Sequence, residues 1–436
     1  MGTRLEKKGT GTLLCFASNT ALDTLVISAG AVAQRNGNAA KAVILQNGTL
    51  WDDTQSTTHA LVVPKGKSGT WQLTNAAYTN YTNKLTGEGT VTIVPRNRVN
   101  RVRISGDWSK FQGTVKHTNT KIWLPFDCTS GMPHGTLDIA AGCGVTNVAK
   151  AMTIGAVTGS GSLNQPVSNF QNQTAVSGNN TWNIGNSDGH DFIFAGSFAD
   201  AGGANKTLFN KVGTCKMTFS GTGSFSGACK VNAGELCLNS AKSDVMLGTN
   251  TLNIANGATL SGRGTLGNSA TTVAAGATIR SGITEENAAG NLKFSGKNLI
   301  VNGNAQSFIS SKSSYSKFTG IGTLKLLGTL TLRGAEGLAL TLGDEIKLFD
   351  AKTIDLGPDL VLDLCSPNAA EGLTWDTSRL YEGVLVVAGP SPDSVINIQS
   401  DNLNKDEVCT LGGVRLSHRP KQTGIYVVNG QKMMVK

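Results

Sequence analysis

Apolar and polar residues alternate in short runs along most of this chain. Thr249-Asn250-Thr251-Leu252-Asn253-Ile254 and Gly322-Thr323-Leu324-Lys325-Leu326-Leu327 set apolar side chains two apart, at Leu252 and Ile254 and at Leu324 and Leu326, the period of a strand with one buried and one solvated face. Glycine turns bound the runs, and two phrases recur. Lys7-Lys8-Gly9-Thr10-Gly11-Thr12-Leu13-Leu14-Cys15 reappears in altered form as Lys211-Val212-Gly213-Thr214-Cys215-Lys216-Met217-Thr218-Phe219. A second phrase, apolar-x-x-Gly, ends at Gly30, Gly142, Gly234, Gly257 and Gly276, the last three spaced by 23 and then 19 residues. A spacing near 20 that drifts from copy to copy predicts stacked coils of short strands. The expected fold is all-β, a parallel β-helix (β-solenoid) over residues 1–387, with Leu13, Ile27, Met217, Phe219, Val231, Leu252, Ile254 and Val273 in its inward ladder.

The repeat is uneven. Residues 1–35 hold one copy, 36–125 and 126–210 read as less regular rungs, and 211–355 are the most regular. Ala388-Gly389-Pro390-Ser391-Pro392-Asp393-Ser394 has linker composition, which sets 388–394 apart from a C-terminal segment at 395–436. There Gly424 and Asn429-Gly430 flank Ile425-Tyr426-Val427-Val428 and predict a terminal hairpin, or a small β-sandwich-like unit. The chain enters at full repeat strength, so an upstream continuation holding the true N-terminus is expected. No apolar run reaches the ~18 residues of a membrane-spanning helix.

Composition agrees with a rod of hydroxyls and amides. There are 54 glycines, and charged residues make up 15%, below the ~25% of an ordinary globular chain. The net charge of +9 is modest for this length, and no nucleic-acid partner is expected. Arg96, Arg98, Arg101 and Arg103 are the candidate anion patch, suited to phosphorylated or uronic glycans. The plainer reading is a solvated face whose charges discourage edge pairing. The eight cysteines lack CxxC spacing, so no metal site is expected, and Cys15 and Cys229 have the parity of inward fillers with free thiols.

Catalysis finds little support in the residues. Asp52-Asp53 beside Trp51 and Asp188-Gly189-His190-Asp191 are the acidic groupings that could serve a polysaccharide-cleaving site. Each has a simpler account as an Asp-rich turn between rungs, and neither a catalytic residue nor a cofactor is expected.

The stretch from Lys211 to Gly221, continuing through Ser224-Phe225-Ser226-Gly227 to Val231-Asn232-Ala233-Gly234-Glu235-Leu236-Cys237-Leu238, resembles the autotransporter-associated β-strand repeat of bacterial surface proteins, with Cys215 where that family usually has glycine. The resemblance implies a right-handed β-helix displayed outside the cell. The C-terminal Val408–Arg415 and Lys421–Lys436 resemble the end of the sorting domain of type IX secretion substrates in Bacteroidetes-type bacteria. That implies recognition by the secretion machinery, with Gly424, Ile425, Tyr426, Val427, Val428, Asn429, Gly430 and Lys432 as the sorting-signal candidates. The expected function is display and adhesion at the cell surface or outer membrane, toward a glycan or host protein. The alternatives are a β-helix enzyme of the lyase or hydrolase class and a stalk for an upstream module.

Overall fold

The computed structural model describes residues 2–389 except 17–20, 36, 53–57, 74–78, 96–101, 119–122, 149–150, 165–177, 187–188, 201–204, 241–243 and 284–289; beyond 389 it describes the backbone of four strands. Most strands pair in parallel with the strand one coil further along, and the pairs form three ladders around one core. The first runs from Arg4–Lys7 through Thr24–Ile27, Ala42–Leu45, Ala60–Val63 and Leu85–Gly87. It continues through Asn180–Ile184, Thr207–Lys211, Cys229–Val231, Leu252–Ile254 and Ala270–Val273 and ends in Phe349–Leu356. The second runs from Thr12–Cys15 through Ala31–Gln34, Thr49–Asp52, Ser68–Leu73, Thr90–Pro95 and Thr114–His117. Further on it takes in Lys216–Phe219, Glu235–Asn239, Thr259–Thr265, Thr278–Ser281, Asn304–Ser311 and Thr329–Gly334, ending at Val361–Leu364. The third joins Thr79–Tyr81, Val102–Ile104, Trp123–Phe126, Gly144–Asn147, Ser162–Leu163, Ser197–Phe198 and Thr222–Gly223.

Three parallel ladders on a shared core make a parallel β-helix. Its coils vary in length because the corners absorb insertions: Ala31 pairs with Thr49, eighteen residues on, whereas Gly159 pairs with Phe194, thirty-five on. The stretches that read as less regular in the sequence contribute paired rungs to the same ladders.

Inward columns follow the period-two pattern. Ile27, Met217, Phe219, Val231, Leu252, Ile254 and Val273 are buried, and Phe219 stacks on Phe194 with ring centroids 5.9 Å apart and meets Phe198 edge-on at 5.5 Å. Leu13 also packs toward the core but is only half-buried, because Thr12–Cys15 has a paired strand on one side alone. Gly30, Gly142, Gly234, Gly257 and Gly276 all have φ between 63° and 75°, a left-handed backbone that glycine adopts without a Cβ clash. At Gly234 a Cβ would also meet the Cys215 carbonyl oxygen at 2.5 Å.

One inward position breaks the apolar rule. Lys211 stands in the column between Ile184 and Val231 and is fully buried. Its Nζ donates to the carbonyls of Val212 (2.8 Å), Gly213 (3.0 Å) and Ala233 (3.2 Å). Lys7 makes the same set of bonds in the first coil, to Lys8, Gly9 and Ala29.

The ladders stop at Val361–Leu364. Residues up to 388 fold instead as an antiparallel sheet of Glu345–Lys347, Val384–Ala388 and Thr374–Asp376. The C-terminal strands form an antiparallel sheet in the order Arg415–Leu416, Val408–Thr410, Gly424–Val428, Gln431–Val435, the last two as the expected hairpin. No helix among the described residues is long and apolar enough to cross a membrane.

Candidate functional site: the outer faces of the coil

Outward side chains of the first ladder form a column one rung apart. Thr153, Asn183, Asn210, Lys230, Asn253 and Thr272 stand in register, each half-buried or exposed. Neighbouring rungs lie about 4.8 Å apart, so the column is a ruled line of amide and hydroxyl groups with one ammonium, that of Lys230, among them. Asn210 Nδ2 donates to Asn183 Oδ1 at 2.8 Å, which fixes both amides and leaves further donor and acceptor capacity facing outward. Thr181 and Thr251 lie beside this column on the same face.

The second ladder carries a charged cluster. Strand register sets Lys216 beside Glu235 and Cys237 beside Ser261 and then Arg280. Glu235 Oε1 accepts from Ser261 Oγ and is 2.9 Å from Arg280 Nη2 and 3.2 Å from Lys216 Nζ. Lys216 Nζ also reaches the Ile283 carbonyl at 3.5 Å. These partners are far apart in sequence and meet only through stacking, so alternation alone does not reveal them. The signal that could have found them is the register of the two phrases, which aligns the residue after Cys215 with the residue after Gly234.

The sequence candidates are placed as follows. Arg103 Nη2 forms an ion pair with Asp127 at 2.6 Å, whereas Arg96, Arg98 and Arg101 lie outside the described residues. Asp52 ends a strand paired with Ser68–Leu73, and its side chain and Asp53 are likewise outside them, as is Asp188. Asp191 Oδ1 accepts the backbone N–H of Lys216 at 2.7 Å and so ties one rung to the next; the His190 carbonyl accepts from Asn186 Nδ2. Gly424, Ile425, Tyr426, Val427, Val428 and Lys432 lie on the terminal hairpin strands, and Asn429 and Gly430 between them are not described.

Thiols and imidazoles are shaped by burial. Cys15, Cys128, Cys143, Cys215, Cys229, Cys237 and Cys365 are free, and desolvation raises the pKa of Cys15, Cys128, Cys229 and Cys237, which keeps them as inert thiols. His59 is buried with Nδ1 3.3 Å from Asn38 Oδ1, and desolvation pushes its pKa down to about 4.

Compared with known protein families and with curated proteins, the chain matches no family model and no curated protein.

Proposed function

We propose that this protein is an extracellular, surface-attached β-helix that adheres to a polysaccharide without cleaving it. The ruled column from Thr153 to Thr272 is the observation that carries this reading. An extended glycan offers hydroxyls at a repeat close to the rung spacing, so successive sugars meet successive amide and hydroxyl groups and the Lys230 ammonium, and many weak bonds act together. Hydrogen bonds of this kind contribute about 1 kcal/mol each, so binding grows with the number of rungs engaged. In the same proposal the hairpin Gly424–Val428 and Gln431–Val435 is read by secretion machinery in the envelope, which the resemblance at the C-terminus supports. The test is retention on insoluble neutral polysaccharides. The intact protein is expected to be retained, and the triple variant Asn183→Ala, Asn210→Ala, Asn253→Ala to lose at least tenfold in affinity with an unchanged circular dichroism spectrum. Equal retention of both proteins would overturn the assignment of this face.

A second reading, cleavage of an acidic polysaccharide, has the Glu235 cluster behind it, since a half-buried carboxylate lies between an ammonium and the buried Arg280 guanidinium. Product release lost in Glu235→Gln would favour it.

A further inference from the structure

We propose that Lys211 and Cys215 are a site of covalent modification, where peroxide drives a bond between Nζ and Sγ that locks one corner of the coil. The two residues flank the corner Val212-Gly213-Thr214, and both are buried, Lys211 at 0% and Cys215 at 1% exposure. Their reactive atoms meet over the same piece of the preceding coil. The Cys215 sulfur accepts the backbone N–H of Asn186 at 3.2 Å, and a Cβ added to Gly185, the residue before it, would stand 3.3 Å from Lys211 Nζ. Lys211 Nζ also donates to the Cys215 sulfur. Glycine at 185 leaves room for the pair, because a Cβ there would collide with the Val212 carbonyl oxygen of the same corner.

The sulfur is not needed to hold the lysine. Lys7 opens the first copy of the phrase and donates to the carbonyls of Lys8, Gly9 and Ala29, with Gly11 at the place that Cys215 takes in the second copy. The same ammonium site is made there without a thiol, so Cys215 adds a chemistry to it and not a missing contact. Thr214 is exposed and Gly213 half-buried, so the thiol lies directly beneath the surface, within reach of an oxidant little larger than water.

Hydrogen peroxide is that oxidant. Cys215 Sγ attacks one peroxide oxygen, the O–O bond breaks, the thiol proton leaves with the departing hydroxide as water, and a sulfenic acid remains. Lys211 Nζ then attacks Sγ as the neutral amine. The Nζ–Sγ bond forms, the S–O bond breaks, and the hydroxide takes an amine proton and leaves as a second water. The protein loses two hydrogens while one peroxide is reduced to two waters. Burial lowers the Lys211 pKa, which favours the neutral amine that the second step uses, and the shared corner makes that step intramolecular.

Tryptic mapping of the full-length chain tests this. Folded protein is treated with hydrogen peroxide, unfolded without reductant, alkylated and digested with trypsin, which cuts after free lysine. Cleavage after Lys211 should be lost, leaving the segment 207–216 whole, unalkylated and two hydrogens lighter than its reduced form. Dithiothreitol should restore both cleavage and alkylation. Cys215→Ala protein should be cut after Lys211 with or without peroxide, and wild-type protein unfolded in urea before the peroxide is added should form no link. Undiminished cleavage after Lys211, Cys215 recovered as sulfinic acid beside a free lysine, or a link formed equally in the unfolded chain would overturn the proposal.

Discussion

Lys211 Nζ donates to the Ala233 carbonyl oxygen one coil further along, at 3.2 Å. The bond converts a buried cation into a tie between rungs, and it explains why the long phrase opens with lysine. Burial lowers the Lys211 pKa, yet the ammonium keeps three carbonyl partners that an apolar residue would leave without a donor. Lys211→Met should therefore cost about 1–3 kcal/mol and lower the melting temperature, although methionine fills much of the same volume. An unchanged melting temperature would show that the carbonyls find other donors.

Phe219 anchors an aromatic stack with Phe194 and Phe198. Truncation to alanine removes those contacts and leaves a cavity that the flanking rungs cannot close, so Phe219→Ala should destabilise by about 3–5 kcal/mol. Because each rung contacts mainly its neighbours, the loss is expected to be local. Hydrogen exchange should accelerate in residues 192–239 and stay at wild-type rates in 259–334; uniform acceleration would argue for one cooperative unit.

Much of this was legible in the chain and some was not. Alternation identified the inward side chains of Met217, Phe219, Val231, Leu252, Ile254 and Val273, and the phrase glycines marked the left-handed corners. The sequence shows Lys211 only as the opening residue of a recurring phrase, because nothing local shows that an inward lysine meets the carbonyls of its own corner and of the next coil. The Glu235 cluster is not legible in the sequence for a related reason: Ser261 and Arg280 approach it through inter-rung register, which depends on every intervening corner length. The antiparallel sheet of Glu345–Lys347, Thr374–Asp376 and Val384–Ala388 shares the period of the coil, so periodicity could not separate the two.

His59 gives the molecule an acid-sensitive element. Its folded pKa of about 4 lies below the ordinary 6.5, so between those values the unfolded chain binds the proton and the folded one does not. Stability is then full above pH 6.5 and falls as pH drops toward 4, by up to about 3 kcal/mol. Urea denaturation at pH 7 and pH 4.5 should show a smaller difference for His59→Asn than for the wild type; identical differences would remove His59 as the source.

The export proposal separates stability from localisation. Deleting residues 395–436 should leave the melting of the coil within about 0.5 kcal/mol of wild type, the range of changes outside a packed core, while abolishing surface labelling in the native host. Normal surface labelling of the truncated protein would make the C-terminal sheet a structural end only.

Adhesion without catalysis is tested most directly by calorimetric titration with neutral oligosaccharides of increasing length. A ruled face predicts saturable heat, affinity that rises with each added sugar until the column from Thr153 to Thr272 is covered, and unchanged sugar at the end of the titration. Sustained heat with shortened oligosaccharides, abolished by Glu235→Gln, would contradict the account and make the protein an enzyme.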